Sequence, residues 1–384
     1  MSAMRFLIMA WLFLAGVIGS GLIGPNRSAV LQEYGLSETQ FGAGVASVQI
    51  VAATAVLAGA HWLARLRPVT VLMMGLVVMA AGFGAISATH HLPGLIVGWA
   101  LVTAALALGA IANNISMDLW PDDPHRGVVL LHSFNAGGKV VGPLIAAAFL
   151  AAGYRRSFIT VGALVLAVLA AFIALRRRSA AADTGALVDP GSGLEVLRQG
   201  RFWAFMLWIG MIAGGEGAFA TLLPRYVEKT LGQTVQVGTL ALTVHLLGLT
   251  AGRFAAAFAG RTVRPGAVIA VCLGAGVFIF PALLTRSLPI LFVSLFLLGV
   301  MFSSTWPSFY AVATRWLPGA LHMMPYGSSL GSFAVMAACI FLSSVIADRS
   351  LALSLYFGPA VLWAFGATYL LAARAGLLGV RATS

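Results

Sequence analysis

The sequence predicts an all-α membrane protein with twelve transmembrane helices, arranged as two pseudo-symmetric six-helix bundles. Three observations support this fold class: the composition, the number of apolar runs and an internal repeat. Of the 384 residues, 60% are hydrophobic and 9% are charged, and the mean hydropathy is +0.97. Soluble domains carry about 25% charged residues, so this chain has too few charges to cover a water-exposed surface. Lipid is therefore the expected solvent for most of the chain.

Twelve apolar runs are long enough to cross a bilayer, because a hydrocarbon core about 30 Å thick needs about 20 residues per helix. The runs cover residues 5–25, 42–64, 69–89, 94–117, 128–151, 157–175, 203–225, 236–259, 266–284, 289–313, 323–346 and 351–373. They predict an N-terminal six-helix bundle over 1–175, a cytoplasmic linker over 176–200 and a C-terminal six-helix bundle over 201–384.

The two predicted bundles carry matching sequence signals at a nearly constant offset of 195 to 197 residues. The matched pairs are Glu33 with Glu228, Leu36 with Leu231, Thr39 with Thr234, Gly42 with Gly238, Arg67-Pro68 with Arg264-Pro265, and Pro121 with Pro318. Each pair falls between equivalent helices of the two halves. Six helices per copy give both copies the same membrane orientation, so the repeat is a parallel duplication.

Loop charges predict the orientation of the chain. With both termini inside, fourteen Arg residues lie on the cytoplasmic side, and six Arg and one Lys lie on the outer side. The first apolar run lacks a small-residue cleavage site, so we expect it to be retained as a helix. The sequence thus predicts a multi-pass protein of the inner (cytoplasmic) membrane with both termini in the cytoplasm.

The net charge of +12 does not predict nucleic-acid binding, because the basic residues punctuate the gaps between apolar runs instead of lining one face. Cys272 and Cys339 are the only cysteines, and both lie in apolar runs. Neither a disulfide framework nor a cysteine metal site is therefore expected. We expect a monomer in the lipid bilayer that binds a small-molecule substrate, uses protons as coupling ion and needs no cofactor or metal.

Several motifs resemble those of a known family. They are Asn113-Asn114, Leu131-His132-Ser133-Phe134-Asn135, Gly138-x-x-x-Gly142-Pro143, Gly215-Glu216 and Gly248-Leu249-Thr250-Ala251-Gly252-Arg253. With the duplicated plan, they resemble the major facilitator superfamily over the whole chain, and within it the branch of fucose–proton symporters. The resemblance implies the major facilitator fold, with a substrate site near the midplane between the bundles.

The sequence departs from that branch where its sugar–proton symporters have acidic residues on helices one and four. Helix one has none here, and helix four has Asn113 and Asn114 at the expected depth. Gly138-x-x-x-Gly142-Pro143 is also similar to the helix-five signature of drug–proton antiporters, which favours export.

Glu216 is the leading candidate for proton coupling. An ionisable group at bilayer depth costs about 2.5–3.5 kcal/mol on insertion scales and usually has a function. Glu216 is the only acidic residue deep in any apolar run. The glycines around it allow close helix approach or local unwinding. The alternative is a structural carboxylate paired with Arg253 or Lys139.

His132 and His245 are further proton-coupling candidates, because histidine changes charge near neutral pH. His245 is the weaker of the two. An equally good interpretation of His132 is a hydrogen bond between helices.

Lys139 and Arg253 are the main candidates for substrate contact. Lys139 shares a helix face with His132 and Asn135 at i, i+3, i+7 spacing, which indicates an anion contact or a partner for Glu216. The planar guanidinium of Arg253 suits carboxylates, and a similar Gly-Arg on helix eight occurs in carboxylate transporters of the superfamily. The alternative is that Arg253 braces the cytoplasmic gate.

Other residues are weaker substrate candidates. They are Asn113, Asn114, Asn135, Arg27, Trp306, Tyr310, Ser328 and Ser332. Arg27, at the outer end of helix one, either lines a vestibule or snorkels to the interface. The aromatic face of Trp306 and Tyr310 either contacts substrate or packs on a neighbouring helix, and Pro307 is expected to loosen the helix beside it.

Three functions remain open at this point. The first is secondary active transport of a small polar or anionic organic solute by alternating access, coupled to protons. The second is a proton-driven multidrug or metabolite efflux antiporter. The third is an intramembrane enzyme built around Asp118, His132 and Ser133, which is disfavoured because the sequence has no zinc-ligand spacing and no nucleophile-elbow motif.

Overall fold

The computed structural model describes residues 3–63, 66–109, 111–112, 115, 119–120, 124–178, 196, 198–259, 274–317 and 323–377. Within these ranges the chain forms α-helices joined by short connections, and no strand occurs among them. The all-helical class predicted from the sequence is confirmed.

The described residues form thirteen α-helices. They are α1 (Ala3–Tyr34), α2 (Glu38–Leu63), α3 (Pro68–Ala88), α4 (Leu92–Leu108), α5 (Pro124–Phe149), α6 (Arg155–Arg178), α7 (Gly200–Lys229), α8 (Val235–Ala259), α9 (Ile279–Thr285), α10 (Leu288–Phe302), α11 (Thr305–Ala313), α12 (Met324–Ala347) and α13 (Leu351–Arg374).

In the described part of the chain, nine helical segments are long and apolar enough to cross a membrane, and α4 is a shorter apolar helix. One of the nine, Leu288–Tyr310, combines α10 with the first part of α11. The predicted runs over 94–117 and 266–284 include residues outside the described ranges. A multi-pass helical membrane protein is thus established.

The first helix is longer than its apolar run. The run ends near residue 25, but α1 continues to Tyr34 with Pro25 inside it. Pro25 removes only one backbone hydrogen bond and does not end the helix. The polar residues that follow it are therefore helical and do not form an interfacial loop. Arg27 is fully buried and bonded to side chains of α2 and α12, so the interpretation of Arg27 as a snorkelling residue is wrong.

The predicted helix over 289–313 is interrupted at Ser303-Ser304, between α10 and α11. Pro307 explains the position of the break. It has no N–H, so the Ser303 carbonyl four residues earlier lacks its usual helical donor. This is the loosening predicted beside Trp306.

Buried hydrophobic side chains form two large clusters. One is drawn from residues between Leu7 and Phe172, and the other from residues between Val196 and Tyr369. Helices α2 and α12 pack together, as do α5 and α8 and α1 and α7, and these pairs connect the elements of the first cluster to those of the second. The candidate site lies where α5, α7 and α8 meet.

Candidate substrate and proton site

The centre of the candidate site is an ion pair between Lys139 on α5 and Glu216 on α7. The distance from Lys139 Nζ to Glu216 Oε1 is 2.5 Å. The two side chains retain 15% and 10% of their exposure, so neither is completely enclosed by the protein atoms around it. Lys139 and Glu216 are 77 positions apart in sequence, and their pair joins two different helices. Lys139 is thus the partner of Glu216 in this structure, and an anion contact by Lys139 stays a prediction.

Small residues position Lys139 by bringing α5 against α1. A side chain at Gly138 would collide with the Phe13 carbonyl, and one at Gly142 would collide with the backbone at Gly21. Gly16 of α1 is equally close to the α5 backbone at Asn135. The predicted small-residue stripe is therefore a helix-packing surface, and it fixes the rotation of α5 so that the next residue, Lys139, reaches α7.

Glycines beside Glu216 have the same role on α7. Gly214 lies against Cys339 of α12, and Gly215 lies against the Gly358 carbonyl of α13. Because α7 is one continuous helix from Gly200 to Lys229, the glycines serve close helix approach, and the alternative of local unwinding is wrong for this structure. The close packing on one side leaves Glu216 facing α5 and α8 on the other.

Arg253 on α8 is the third charged group of the site. Its side chain is 3% exposed, and its Nη2 lies 4.0 Å from Glu216 Oε2. Its Nε donates to the Ser303 carbonyl at 2.8 Å, and its Nη1 donates to the His132 carbonyl at 3.2 Å. The first of these acceptors is the carbonyl that Pro307 leaves without a helical donor. Arg253 thus ties α8 to the α10–α11 break and to α5.

An aromatic stack borders the charged group. The rings of His132 and Trp306 lie 4.5 Å apart, and those of Trp306 and Tyr310 lie 5.4 Å apart and nearly parallel. The Tyr310 hydroxyl is buried and has no hydrogen-bond partner within the described part of the chain. His132, Asn135 and Lys139 share one helix face as predicted, but they contact different elements. Asn135 donates to the Leu12 carbonyl of α1, so this amide is committed to helix packing.

His245 on α8 lies close enough to Glu216 to interact with its charge. The ring is fully buried against Phe219, and its Nδ1 lies 3.2 Å from the Leu295 carbonyl. A carbonyl only accepts, so Nδ1 carries the proton, and among the described residues Nε2 has no hydrogen-bond partner. This is the geometry of a neutral proton acceptor.

The remaining sequence candidates are dispersed. Ser328 is buried and Ser332 is half-buried on α12. Asn113 and Asn114, together with Asp118, lie outside the described residues. Arg27 lies near the far end of α1, away from the Lys139–Glu216 pair.

A second charged group, not expected from the sequence, surrounds Arg27. We call Arg27, Glu38, Arg225 and Asp348 the Glu38 cluster. Glu38 accepts from Arg27 Nε through Oε2 and from Arg225 Nε through Oε1, both at 2.7 Å. The Asp348 carboxylate accepts from the backbone N–H groups of Glu38 and Thr39, both at 3.0 Å. The cluster joins the ends of α1 and α2 to the ends of α7 and α12.

Further contacts extend the Glu38 cluster. Arg27 Nη2 donates to Ser344 Oγ at 3.1 Å, and Ser28 donates to the Glu228 carboxylate. Of the four members, only Arg27 is singled out in the sequence analysis, and its partners are not indicated there. The members of the cluster come from the ends of four helices, and the sequence assigns Arg225 to membrane orientation alone.

The fold and the buried charges together define a polytopic membrane transport protein. The chain belongs to the major facilitator superfamily, whose sequence model matches residues 9–324. The family predicted from the motifs is confirmed, and membership indicates a transporter and not an enzyme. Comparison with curated protein sequences finds no significant match.

Solved transporter structures share the fold. A crystal structure of a single-site variant of the Escherichia coli fucose:proton symporter FucP has a TM-score of 0.64 at 16% identity, covering 95% of this chain and 98% of that one. FucP in the outward conformation has a TM-score of 0.64 at 17% identity, covering 95% and 98%. The human organic anion transporter MFSD10 (TETRAN) has a TM-score of 0.64 at 16% identity, covering 97% and 98%.

Proposed function

We propose that the protein moves a small polar or anionic organic solute across the cytoplasmic membrane by alternating access, coupled to protons. Glu216 carries the proton, and Lys139 and Arg253 contact the solute. The observation that carries this proposal is the Lys139–Glu216 ion pair, because it joins α5 to α7 through two side chains that are not completely enclosed. We also propose twelve helices in two six-helix bundles divided by the 176–200 linker, which the two separate hydrophobic clusters support.

Protonation of Glu216 would change the contact between α5 and α7. Two opposite charges about 4 Å apart attract by about 4 kcal/mol at an effective dielectric constant of about 20. A proton on Glu216 removes this attraction and leaves Lys139 without its partner. Protonation of Glu216 therefore weakens the contact between α5 and α7 and leaves Lys139 able to bind another anion. Proton-coupled transport requires such a link between protonation and solute binding.

Lys139→Gln is expected to weaken binding of an anionic solute at least tenfold, because the variant removes the ammonium that pairs with Glu216 and that we propose to contact the solute. The ligand is first found by a thermal-shift screen of the purified protein against sugars, carboxylates and cationic dyes, since a ligand of the folded state raises Tm. Lys229→Gln is the matched control, because Lys229 lies at the end of α7 and is 53% exposed. Unchanged anion binding in Lys139→Gln would remove Lys139 from the substrate site.

The same screen tests the second candidate function, proton-driven export of a more apolar compound. The aromatic stack of His132, Trp306 and Tyr310 beside the charges favours this alternative. Binding of a cationic dye to the parent protein, with anion binding unaffected by Lys139→Gln, would support export of an apolar cation.

Both termini and the 176–200 linker are expected to face the cytoplasm, because cytoplasmic loops carry the excess of Arg. In a cysteine-free background, single cysteines at Ser179 and Ser384 should resist an impermeant thiol reagent in intact cells. A cysteine at Arg349, which is exposed after α12 and predicted outside, is the positive control. Labelling at Ser179 and Ser384 with protection at Arg349 would reverse the orientation.

A further inference from the structure

One carboxylate serves two cations at the candidate site. Glu216 gives one oxygen to Lys139 at 2.5 Å and turns the other toward Arg253 Nη2 at 4.0 Å. The two oxygens of a single carboxylate thus lie between an ammonium and a guanidinium that come from different helices. A carboxylate of a solute has the same shape and charge, and a sulfonate has the same charge and at least two oxygens that can accept from the two cations.

Arg253 is held in place independently of Glu216. Two of its nitrogens donate to the backbone carbonyls of Ser303 and His132, and the first of these carbonyls has no helical donor because of Pro307. The guanidinium therefore stays in position when Glu216 leaves. The Lys139 side chain keeps 15% of its exposure, so it is not completely enclosed even with Glu216 in place.

The charges around Glu216 come from a small set of described residues. Helix α5 contributes Lys139 and His132, and α8 contributes Arg253 and His245. The glycines beside Glu216 are faced by Met336 and Cys339 of α12 and by Leu362 of α13. Tyr310 of α11 belongs to the aromatic stack, and α1 contacts α5 through the backbone at Phe13 and Val17. Counting the histidines, the thiol and the phenol as neutral, the site carries two positive charges and one negative charge.

We propose that the solute is a small organic monoanion that replaces the Glu216 carboxylate between Lys139 and Arg253, so that each anion is carried with one proton. This rests on the proposed function. Glu216 takes up a proton as its carboxylate leaves the cations, and the anion restores the original net charge of the site. A neutral solute would leave two buried cations without a counterion, and a cation would add a third. The second charge of a dianion would find no further cation among the described residues around the site. Transport of a monoanion with one proton moves no net charge.

Binding of sulfonates to the purified full-length protein tests the inference, because these anions stay ionised across the working pH range. The probes are methanesulfonate and benzenesulfonate as monoanions, benzene-1,3-disulfonate as a dianion and benzenesulfonamide as a neutral analogue. In the parent protein, monosulfonate affinity should fall about tenfold for each unit rise in pH once Glu216 is ionised. In Glu216→Gln the affinity should be independent of pH and equal to the value that the parent reaches at low pH. Glu33→Gln, which removes a carboxylate that pairs with Arg155 away from the site, should behave as the parent does.

Three outcomes would overturn the inference. They are monosulfonate affinity that does not change with pH in the parent, tighter binding of the disulfonate or the sulfonamide than of either monosulfonate, and failure of both monosulfonates to bind even to Glu216→Gln. Uptake into proteoliposomes separates this failure from failure of the proposed function. If a pH gradient drives uptake of the disulfonate or the sulfonamide and Glu216→Gln abolishes it, the proposed function stands without the inference. If a membrane potential alone drives monosulfonate uptake and a pH gradient does not, the proposed function fails as well.

Discussion

Glu216→Gln is expected to abolish uphill transport driven by a pH gradient while solute exchange survives. Glutamine has the shape of the protonated acid but cannot release a proton, so the charged step of the cycle is lost. With one proton per solute, a gradient of one pH unit drives about tenfold accumulation, because one unit is worth about 1.4 kcal/mol. The variant should reach no accumulation above equilibrium.

The measurement uses proteoliposomes loaded with the solute that the thermal-shift screen identifies. Gradient-driven accumulation and counterflow exchange are compared in the parent, in Glu216→Gln and in Glu33→Gln as the carboxylate control. Exchange needs no net proton movement and also reports that the variant is folded. Full gradient-driven accumulation by Glu216→Gln would exclude Glu216 as the proton carrier and shift attention to His132 and His245.

Glu38→Gln is expected to open the end of the molecule at which the Glu38 cluster lies. Glu38 is the carboxylate shared by Arg27 of its own half and Arg225 of α7, and Arg27 is fully buried. Breaking a buried ion pair by removing one partner costs about 3–5 kcal/mol, because an uncompensated charge is left behind. Separation of α1 and α2 from α7 and α12 lets water reach Arg27 and relieves that cost.

Accessibility of Ser344 checks this expectation. Ser344 of α12 is fully buried and bonds to Arg27 Nη2 in the parent. In a cysteine-free background, Ser344→Cys should react slowly with a thiol reagent, and adding Glu38→Gln should accelerate the reaction at least tenfold. Asp348→Asn should have a smaller effect, because the amide keeps one oxygen that accepts from the backbone of α2.

A second buried position distinguishes opening from unfolding. Ser354→Cys lies on α13, where the serine is 1% exposed and donates to the Leu351 carbonyl of its own helix. It should stay unreactive when Glu38→Gln is added. Equal reaction at both positions would indicate unfolding, and unchanged protection of Ser344→Cys would contradict a closing role for the Glu38 cluster.

The family and the helical membrane class could be predicted because they depend on properties that add up along the chain. A bilayer demands runs of about 20 apolar residues, and such runs are visible without any knowledge of contacts. Glu216 and Lys139 were found for the same reason, since a charge inside an apolar run is conspicuous. Pro307 also acts locally, because its missing N–H affects the carbonyl four residues earlier.

Other features depended on which helices become neighbours. The sequence predicted Arg27 at an interface, because the apolar run stops near residue 25, whereas burial of the arginine requires Glu38 and Ser344 from two other helices. The shared face of His132, Asn135 and Lys139 suggested one polar stripe. In the folded protein Asn135 contacts α1, Lys139 contacts α7 and His132 contacts α11.

The sequence by itself determined the membrane class, the superfamily and the isolated charges that a lipid environment makes conspicuous. Only the tertiary structure decided that Lys139 and Glu216 are partners, that Arg253 satisfies the carbonyl released by Pro307, and that Glu38 closes a cluster drawn from four helices. The physical reason is range. Hydropathy and helix formation are set by residues a few positions apart, whereas an ion pair requires its charges to lie within about 4 Å. Here packing brings together Lys139 and Glu216, 77 positions apart, and Glu38 and Arg225, 187 positions apart.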